Sequence, residues 1–561
     1  MNLRHTDFTS YGGSKPFASF EVEGGRSGAG LDSARDRRQV KSWSAGTQRR
    51  EVLMPLRPVD ASSWIPATTG DQDVDDEQNR TFGGITNARS IRPTLPTIDD
   101  VDQLVSFAES YKKELSQTSG RLKGLPKIVA FVNSRSGGQI GELILKTLND
   151  NLGTEGSAKP MVGTVADLSK PDEPSATIES LAADLRIGAD VRCMVCGGDG
   201  TVTWILTALE QCRSLKGKLH RLPVSIVPLG TGNDLARSLG WGPKLGQVSD
   251  VLKYLKWAVQ AVPVAMDQWR LVLRPHEVLP ENHKLRTCGS HPQLVSDKEL
   301  AKELYSDMVQ ALDENTGGCQ DVYLGYWQNY FSVGVDAKVA RYVDVSRSQT
   351  NCGRCCFRNG CGKVCYAYQA AMHAACGTIL TRTINMMKVT PPAAGHTPDH
   401  PLLEQLEELN VAERRVNGRR GRMRQLMFVN INSYGAGLKV LPEPSVAGRT
   451  PAPGDGVLEV LGLRNVLTGL GVYAGLTRPT YFCSTEAACF NLEGGECLQL
   501  DGEPWRLECG CDVLIELHRK VTMLRAPDEA RWWKGNVKQS FWTPIELNKL
   551  AEVQEDTPAD C

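Results

Sequence analysis

The sequence predicts a mixed α/β chain: a parallel sheet with helices on its faces, followed by an all-β unit that reads as a sandwich. Two observations carry this. First, three short apolar runs each lead into a glycine-rich loop and then a helical pattern. Lys127-Ile-Val-Ala-Phe-Val132 leads into Asn133-Ser-Arg-Ser-Gly-Gly138, Val191-Arg-Cys-Met-Val195 into Cys196-Gly-Gly-Asp-Gly-Thr201, and Val224-Ser-Ile-Val227 into Pro228-Leu-Gly-Thr-Gly-Asn-Asp234. Repeated βα units place parallel strands in one sheet. Second, from Tyr330 strand-like runs follow one another without intervening helices: Tyr330–Val335, Gln425–Ile431, Val457–Leu463 and Asp512–Leu517. That spacing suits a sandwich.

The elements follow in order. Residues 1–120 read as a disordered or regulatory arm, rich in Gly, Ser, Thr, Arg and Asp, with one short amphipathic helix expected over Asp99–Leu115. The α/β domain is placed at 121–270, with helices at Ile140–Leu145 and Val202–Leu209 after the first two loops. Residues 271–320 read as a polar insertion without clear strands. The β domain occupies 321–527, with a helical interruption near Tyr366–Ile384. A second insertion, Pro391–Arg424, carries a short helical pattern at Leu402–Leu409. Residues 528–561 form a C-terminal tail whose Trp532, Trp533, Phe541 and Trp542 read as fastening it to its own domain, or as meeting a lipid interface.

Bulk properties bound the function. A chain of 561 residues with 41% hydrophobic content can bury a sizeable core. A net charge of −1 gives no global field to recruit nucleic acid or membrane. No run approaches the roughly 18 apolar residues that span a bilayer, and no signal peptide or lipidation motif is evident. A cytoplasmic protein in peripheral contact with membrane is expected. Without a secretory signal, the 17 cysteines read as free thiols. Cys352, Cys355, Cys356, Cys361 and Cys365 have spacing compatible with structural zinc, or with an ordinary cysteine-rich stretch.

Loops of the kind seen after the three strands bring backbone N–H groups and a helix N-terminus to an anion. Three together read as one crevice for a polyphosphate. Gly137, Gly138, Gly197, Gly198, Gly200 and Gly230 let backbone approach oxygens that a Cβ would block. Ser136, Thr201 and Thr231 can add hydroxyl donors, while Asn133 and Asn233 hold the loops or touch the nucleotide. Arg135 and Arg237 are the nearby cations. Asp199, among phosphates, is expected to act with a cation, or else to cap the helix starting near Thr201. Asp501 and Glu503 lie two apart, so in a strand both point to one face. Such a pair can divide proton abstraction from metal binding or orientation; the alternative is a tight Asp-Gly turn with two solvated acids.

Gly197-Gly-Asp-Gly-Thr201 resembles the nucleotide motif shared by diacylglycerol, sphingosine and NAD kinases, and the first and third loops resemble those of the lipid-kinase branch. Asp501-Gly-Glu-Pro-Trp505 is similar to a signature of eukaryotic diacylglycerol kinases; Gly334-Val-Asp-Ala337 and Asn432-Ser-Tyr-Gly-Ala-Gly437 look like landmarks of their accessory domain. The resemblance runs from about Leu125 to Pro527. It implies a Rossmann-like nucleotide-binding domain, a β-sandwich accessory domain, and an active site in the cleft between them. It implies ATP and Mg²⁺ as cofactors and diacylglycerol as phosphoryl acceptor. It points to Asp501 as general base, with Asp199, Asp336 and Glu503 in the metal network. Arg135 stands where relatives often carry Lys. No zinc module or EF-hand loop resembling those of many animal members precedes the catalytic region.

An acceptor that resides in a bilayer requires the protein to meet that bilayer. Arg414, Arg415, Arg419, Arg420, Arg422 and Arg424 form a basic cluster able to attract anionic lipid at about 1 kcal/mol per charge; it also reads as a solvated insertion loop. Two alternatives to a diacylglycerol kinase are carried forward: a sphingosine or ceramide kinase, and a catalytically silent lipid-sensing scaffold.

Overall fold

The computed structural model describes residues 91–119, 124–136, 140–277, 292–296, 298–312, 321–349, 384, 386–392, 407–410, 415–416, 419–420, 423–441, 450–464, 469, 471–472 and 477–530. Residues 1–90, the Cys352–Cys365 cluster, the expected helix at Tyr366–Ile384 apart from Ile384, and the tail aromatics lie outside these residues.

Each βα expectation in the first half corresponds to an observed element. Strands Lys127–Val132, Val191–Gly197 and Val224–Pro228 are followed by helices Ile140–Asn151, Asp199–Gln211 and Asp234–Ser238. The strands are parallel neighbours, with Lys127–Val132 between Val191–Gly197 and Met161–Asp167. Their side chains are buried almost throughout, as a sheet covered on both faces requires. The three glycine-rich loops therefore emerge side by side at the C-terminal edge, where open α/β sheets bind ligands. The N-terminal helix, Ile98–Ser119, starts on a capping box in which Thr97 and Asp100 exchange hydrogen bonds.

The sheet continues beyond the α/β half. Strand Val262–Pro275 runs unbroken through the expected boundary at 270 and pairs antiparallel with Cys511–Arg525 along its whole length. Cys511–Arg525 in turn touches Val224–Pro228, and Leu524 and Ala526 bond to Trp241 and Leu239. The late strand thus closes onto the early sheet, giving 12 strands among the described residues. A second sheet holds 6 strands in the order Thr480–Thr485, Leu458–Leu463, Gln425–Val429, Tyr330–Gly334, Cys497–Leu500, Glu503–Arg506. Side chains from both sheets share one apolar cluster, including Trp269, Phe331, Phe428, Phe490 and Ile515. Phe428 and Phe490 stack across it with centroids 5.9 Å apart.

Three local expectations are corrected. A helix follows strand Tyr330–Gly334 directly, ahead of the interruption expected near Tyr366–Ile384: Val335–Gln349 buries Ala337, Val339, Ala340 and Val343 at helical spacing. The insertion after 275 holds a short strand, Gln293–Leu294, and a helix, Lys298–Leu312, because Leu304 and Met308 bury against Val272 and Leu514. Within the expected helical pattern Leu402–Leu409, residues from Glu407 form strand Glu407–Asn410, paired with Met386–Thr390. No helix among the described residues is long and apolar enough to cross a membrane.

Candidate active site

Three aspartates from three separate elements meet beside the loops. Asp199 opens helix Asp199–Gln211, Asp234 opens the helix after the third loop, and Asp501 sits in the turn between strands Cys497–Leu500 and Glu503–Arg506. All three are buried, at 9%, 1% and 7% exposure, which is costly for acids unless each is well paired.

Backbone N–H groups do most of that pairing. Asp199 accepts from Asp234 N at 2.8 Å and Leu235 N at 3.3 Å. It therefore caps the neighbouring helix, not its own. Asp501 accepts from Gln328 N, Asn329 N and Tyr330 N at 2.8–3.1 Å, and the Thr203 hydroxyl lies 3.4 Å away. Asp234 accepts from the Tyr330 and Ser433 hydroxyls and from Ala436 N and Gly437 N. Gly435, Ala436 and Gly437 all have positive φ, at 53°, 76° and 106°. The turn points the successive N–H groups of Ala436 and Gly437 at one carboxylate, forming a nest for it.

The charges perturb one another. Burial, then repulsion from Asp234 and Asp501, pushes the Asp199 carboxyl well above the ordinary carboxylate range, against its two N–H donors. Burial lifts Asp501 to about 6, opposed by its hydrogen bonds. Arg237 is the cation that feels Asp234 and Asp199; burial lowers its pKa and the two acids oppose that.

The loops themselves pack tightly. A Cβ on Gly230 would lie 2.7 Å from Gly198 Cα and 2.8 Å from Asn233 Oδ1. The second and third loops thus touch backbone to backbone, a requirement additional to phosphate approach. Gly230→Ala is expected to lower Tm by several degrees, since overpacking costs about 1–3 kcal/mol; unchanged melting would show that the loops can part. Asn233, at φ 52°, donates from Nδ2 to Gly230 O and Pro243 O, so it holds the third loop. Asn133 accepts from Arg135 N, and Ser134 donates to Asp167 at 2.8 Å, fixing the first loop. Arg135 and Thr231 are exposed, while Ser136, Gly200 and Thr201 are partly exposed around the rim. Gly137 and Gly138 fall outside the described residues.

The expected Asp501–Glu503 pair on one strand face does not form. Asp501 and Gly502, at φ 48° and 91°, make a two-residue hairpin turn, with Leu500 opposite Glu503. The tight-turn reading was correct in backbone but wrong in solvation, since the Asp501 carboxylate is buried. Glu503 opens the next strand and is partly exposed. Asp336 belongs to a different polar group, bonded to Ser332, Tyr434 and Gln499. Sequence reasoning missed Asp234, although it ends the quoted third loop, and Thr203, which follows Asp199 by one helical turn and bonds to Gln328 Oε1 at 2.6 Å. It also missed Tyr330, whose N–H and hydroxyl link Asp501 to Asp234.

The family model described as diacylglycerol kinase catalytic domain matches residues 127–265, and the diacylglycerol kinase accessory domain matches 326–504. Diacylglycerol kinase 1 of Oryza sativa subsp. japonica is 27% identical over 432 residues, covering 71% of this chain and 79% of its own length. Diacylglycerol kinase 4 of Arabidopsis thaliana is 28% identical over 406 residues, covering 68% and 76%. A crystal structure of a diacylglycerol kinase from Bacillus anthracis aligns over 72% of this chain and 98% of its own, at 14% identity and TM-score 0.35.

Proposed function

The chain belongs to the diacylglycerol kinase family, and from that premise we propose that it transfers the γ-phosphate of ATP to the free hydroxyl of 1,2-diacylglycerol. The products are phosphatidic acid and ADP, in lipid signalling and glycerolipid metabolism. The observation that carries the reading is the convergence of Asp199 and Asp501 beside three parallel phosphate-type loops.

In this reading 121–270 is a Rossmann-like nucleotide-binding domain and 321–527 a β-sandwich accessory domain, with 271–320 inserted and the reaction in the cleft between them. The loops around Asn133, Ser136, Gly198, Thr201, Gly230 and Thr231 bind the nucleotide phosphates through N–H and hydroxyl donors. Asp501 removes the acceptor's hydroxyl proton as its oxygen attacks the γ-phosphorus and ADP departs. Glu503 orients the acceptor from the rim.

The donor set fits Mg²⁺. Buried, mutually repelling carboxylates supply hard oxygens and need positive charge. Among the described residues no three His, Cys, Asp or Glu side chains form a metal-ligand group. Asp199 would be the ion's protein ligand. When bound, Mg²⁺ neutralises charge on the phosphates.

Diacylglycerol lies in a membrane, so the enzyme works peripherally at a cytoplasmic membrane surface. Arg415 and Arg420 stand opposite each other on two short antiparallel strands within the Arg414–Arg424 cluster, and this basic segment meets anionic lipid.

A base lifted to about 6 implies a pH dependence. Turnover at saturating ATP and lipid is expected to rise as pH increases through 6, as Asp501 loses its proton. A flat profile from pH 5 to 8 would contradict the assignment. Stability runs oppositely for this group. Its pKa is raised above the ordinary 3.8, so its contribution is full below that value and lost as pH rises through 6.

A further inference from the structure

Asp336 lies outside the aspartate cluster, yet it is tied to it through a pair of tyrosines. It is the second residue of helix Val335–Gln349, and while the residue keeps some exposure, its Oδ1 is buried without a hydrogen-bond partner. Its Oδ2 accepts from Ser332 Oγ at 2.6 Å, from Gln499 Nε2 at 2.5 Å, and from the Tyr434 hydroxyl. A tyrosine hydroxyl has one proton to give. With that proton on Asp336, the Tyr434 oxygen accepts from Gln425 and Gln499, each at 3.1 Å. Tyr434 is thereby fixed from three sides.

Two structures radiate from Tyr434. Its ring packs against Tyr330, with centroids 4.2 Å apart. Tyr330 donates its hydroxyl to Asp234 at 3.2 Å and its N–H to Asp501 at 3.1 Å. Along the chain, Tyr434 leads directly into Gly435, Ala436 and Gly437, the left-handed nest whose last two N–H groups hold Asp234 at 2.9 and 2.8 Å. Ala436 sits at φ 76° without being glycine, so the nest is held by its surroundings and not by local preference. Tyr434 is the residue from which both supports of Asp234 are set.

We propose that Asp336 is a positioning residue for phosphoryl transfer: it anchors Tyr434, which places Tyr330 and the 435–437 nest around Asp234. This rests on the kinase reading above. It replaces the metal role that the family resemblance implies for Asp336, because Oδ2 is held by three uncharged donors and turned toward Tyr434.

The test is steady-state kinetics of the full chain with ATP, Mg²⁺ and diacylglycerol in mixed micelles. Wild type is compared with Asp336→Asn, Tyr434→Phe and the double variant. Each single variant is expected to lower kcat about 10–100-fold, the effect of a slightly misplaced reacting group. The double variant should be no slower than Tyr434→Phe alone, because both changes act by one route. The Mg²⁺ concentration giving half-maximal rate should stay at the wild-type value. A wild-type kcat in either single variant, multiplied losses in the double, or a raised Mg²⁺ requirement in Asp336→Asn would each overturn the proposal. If Asp336→Asn does not fold, Tyr434→Phe decides alone. It keeps the ring stack and removes the hydroxyl, so a folded variant with wild-type kcat overturns the proposal, and a reduced kcat at unchanged Mg²⁺ requirement upholds it. An inactive wild type would overturn the kinase reading itself, an outcome distinct from active wild type with active variants.

Discussion

Asp501→Asn is expected to reduce phosphatidic acid formation by about 10²–10⁴-fold at saturating ATP, the usual worth of a general base. The change also has a structural cost. Both carboxylate oxygens accept backbone N–H groups: Oδ2 from Gln328, Oδ1 from Asn329 and Tyr330. An asparagine must turn its NH₂ toward one side, leaving a buried N–H facing a donor. That costs about 1–3 kcal/mol, so a lower Tm accompanies the lost turnover. ATP affinity should stay within a few-fold of wild type, because the nucleotide loops belong to other elements. Activity within tenfold of wild type in this variant would remove Asp501 from the role of base.

Asp199→Asn is expected to lower turnover by about 10²–10³-fold, the scale seen when one electrostatic element of a reaction site is removed. Its stability should move differently from that of Asp501→Asn. The Asp199 carboxyl is raised by burial and by two neighbouring acids, so a neutral isostere relieves repulsion. Its amide oxygen can keep the 2.8 Å bond from Asp234 N, and the bond given up is the longer one from Leu235 N. Tm is therefore expected to hold or rise while activity falls. Thermal melts and turnover measured together check this. A large drop in Tm would mean that Asp199 serves mainly to cap the helix beginning at Asp234.

The strand-loop-helix units were legible because local pattern and tertiary role agree there. Lys127–Val132, Val191–Gly197 and Val224–Pro228 are apolar on both faces and lead into glycine-containing loops, and the sheet uses them that way. Where a second constraint intervenes, pattern failed. Leu402, Leu403, Leu406 and Leu409 have helical spacing, yet the segment from Glu407 pairs as an edge strand. The period in Val335, Val339 and Val343 marks a helix in a segment where only strands were expected before Tyr366. At the site, Asp199 and Asp501 were named from motifs that hold them. Their convergence with Asp234 was not, since residues 199, 234 and 501 come together only through the folding of distant segments. The face shared by Asp501 and Glu503 was misjudged because a two-residue turn breaks the strand alternation at Asp501.

The central claim is tested most directly by transfer of the labelled γ-phosphate of ATP to lipid by the purified chain with Mg²⁺. Mixed micelles would present diacylglycerol, ceramide and sphingosine in parallel, with Asp199→Asn as control. The account predicts labelled phosphatidic acid from wild type, with the control reduced by at least about 10²-fold. Label on a sphingolipid in place of diacylglycerol, or no labelled lipid despite bound ATP, would contradict it.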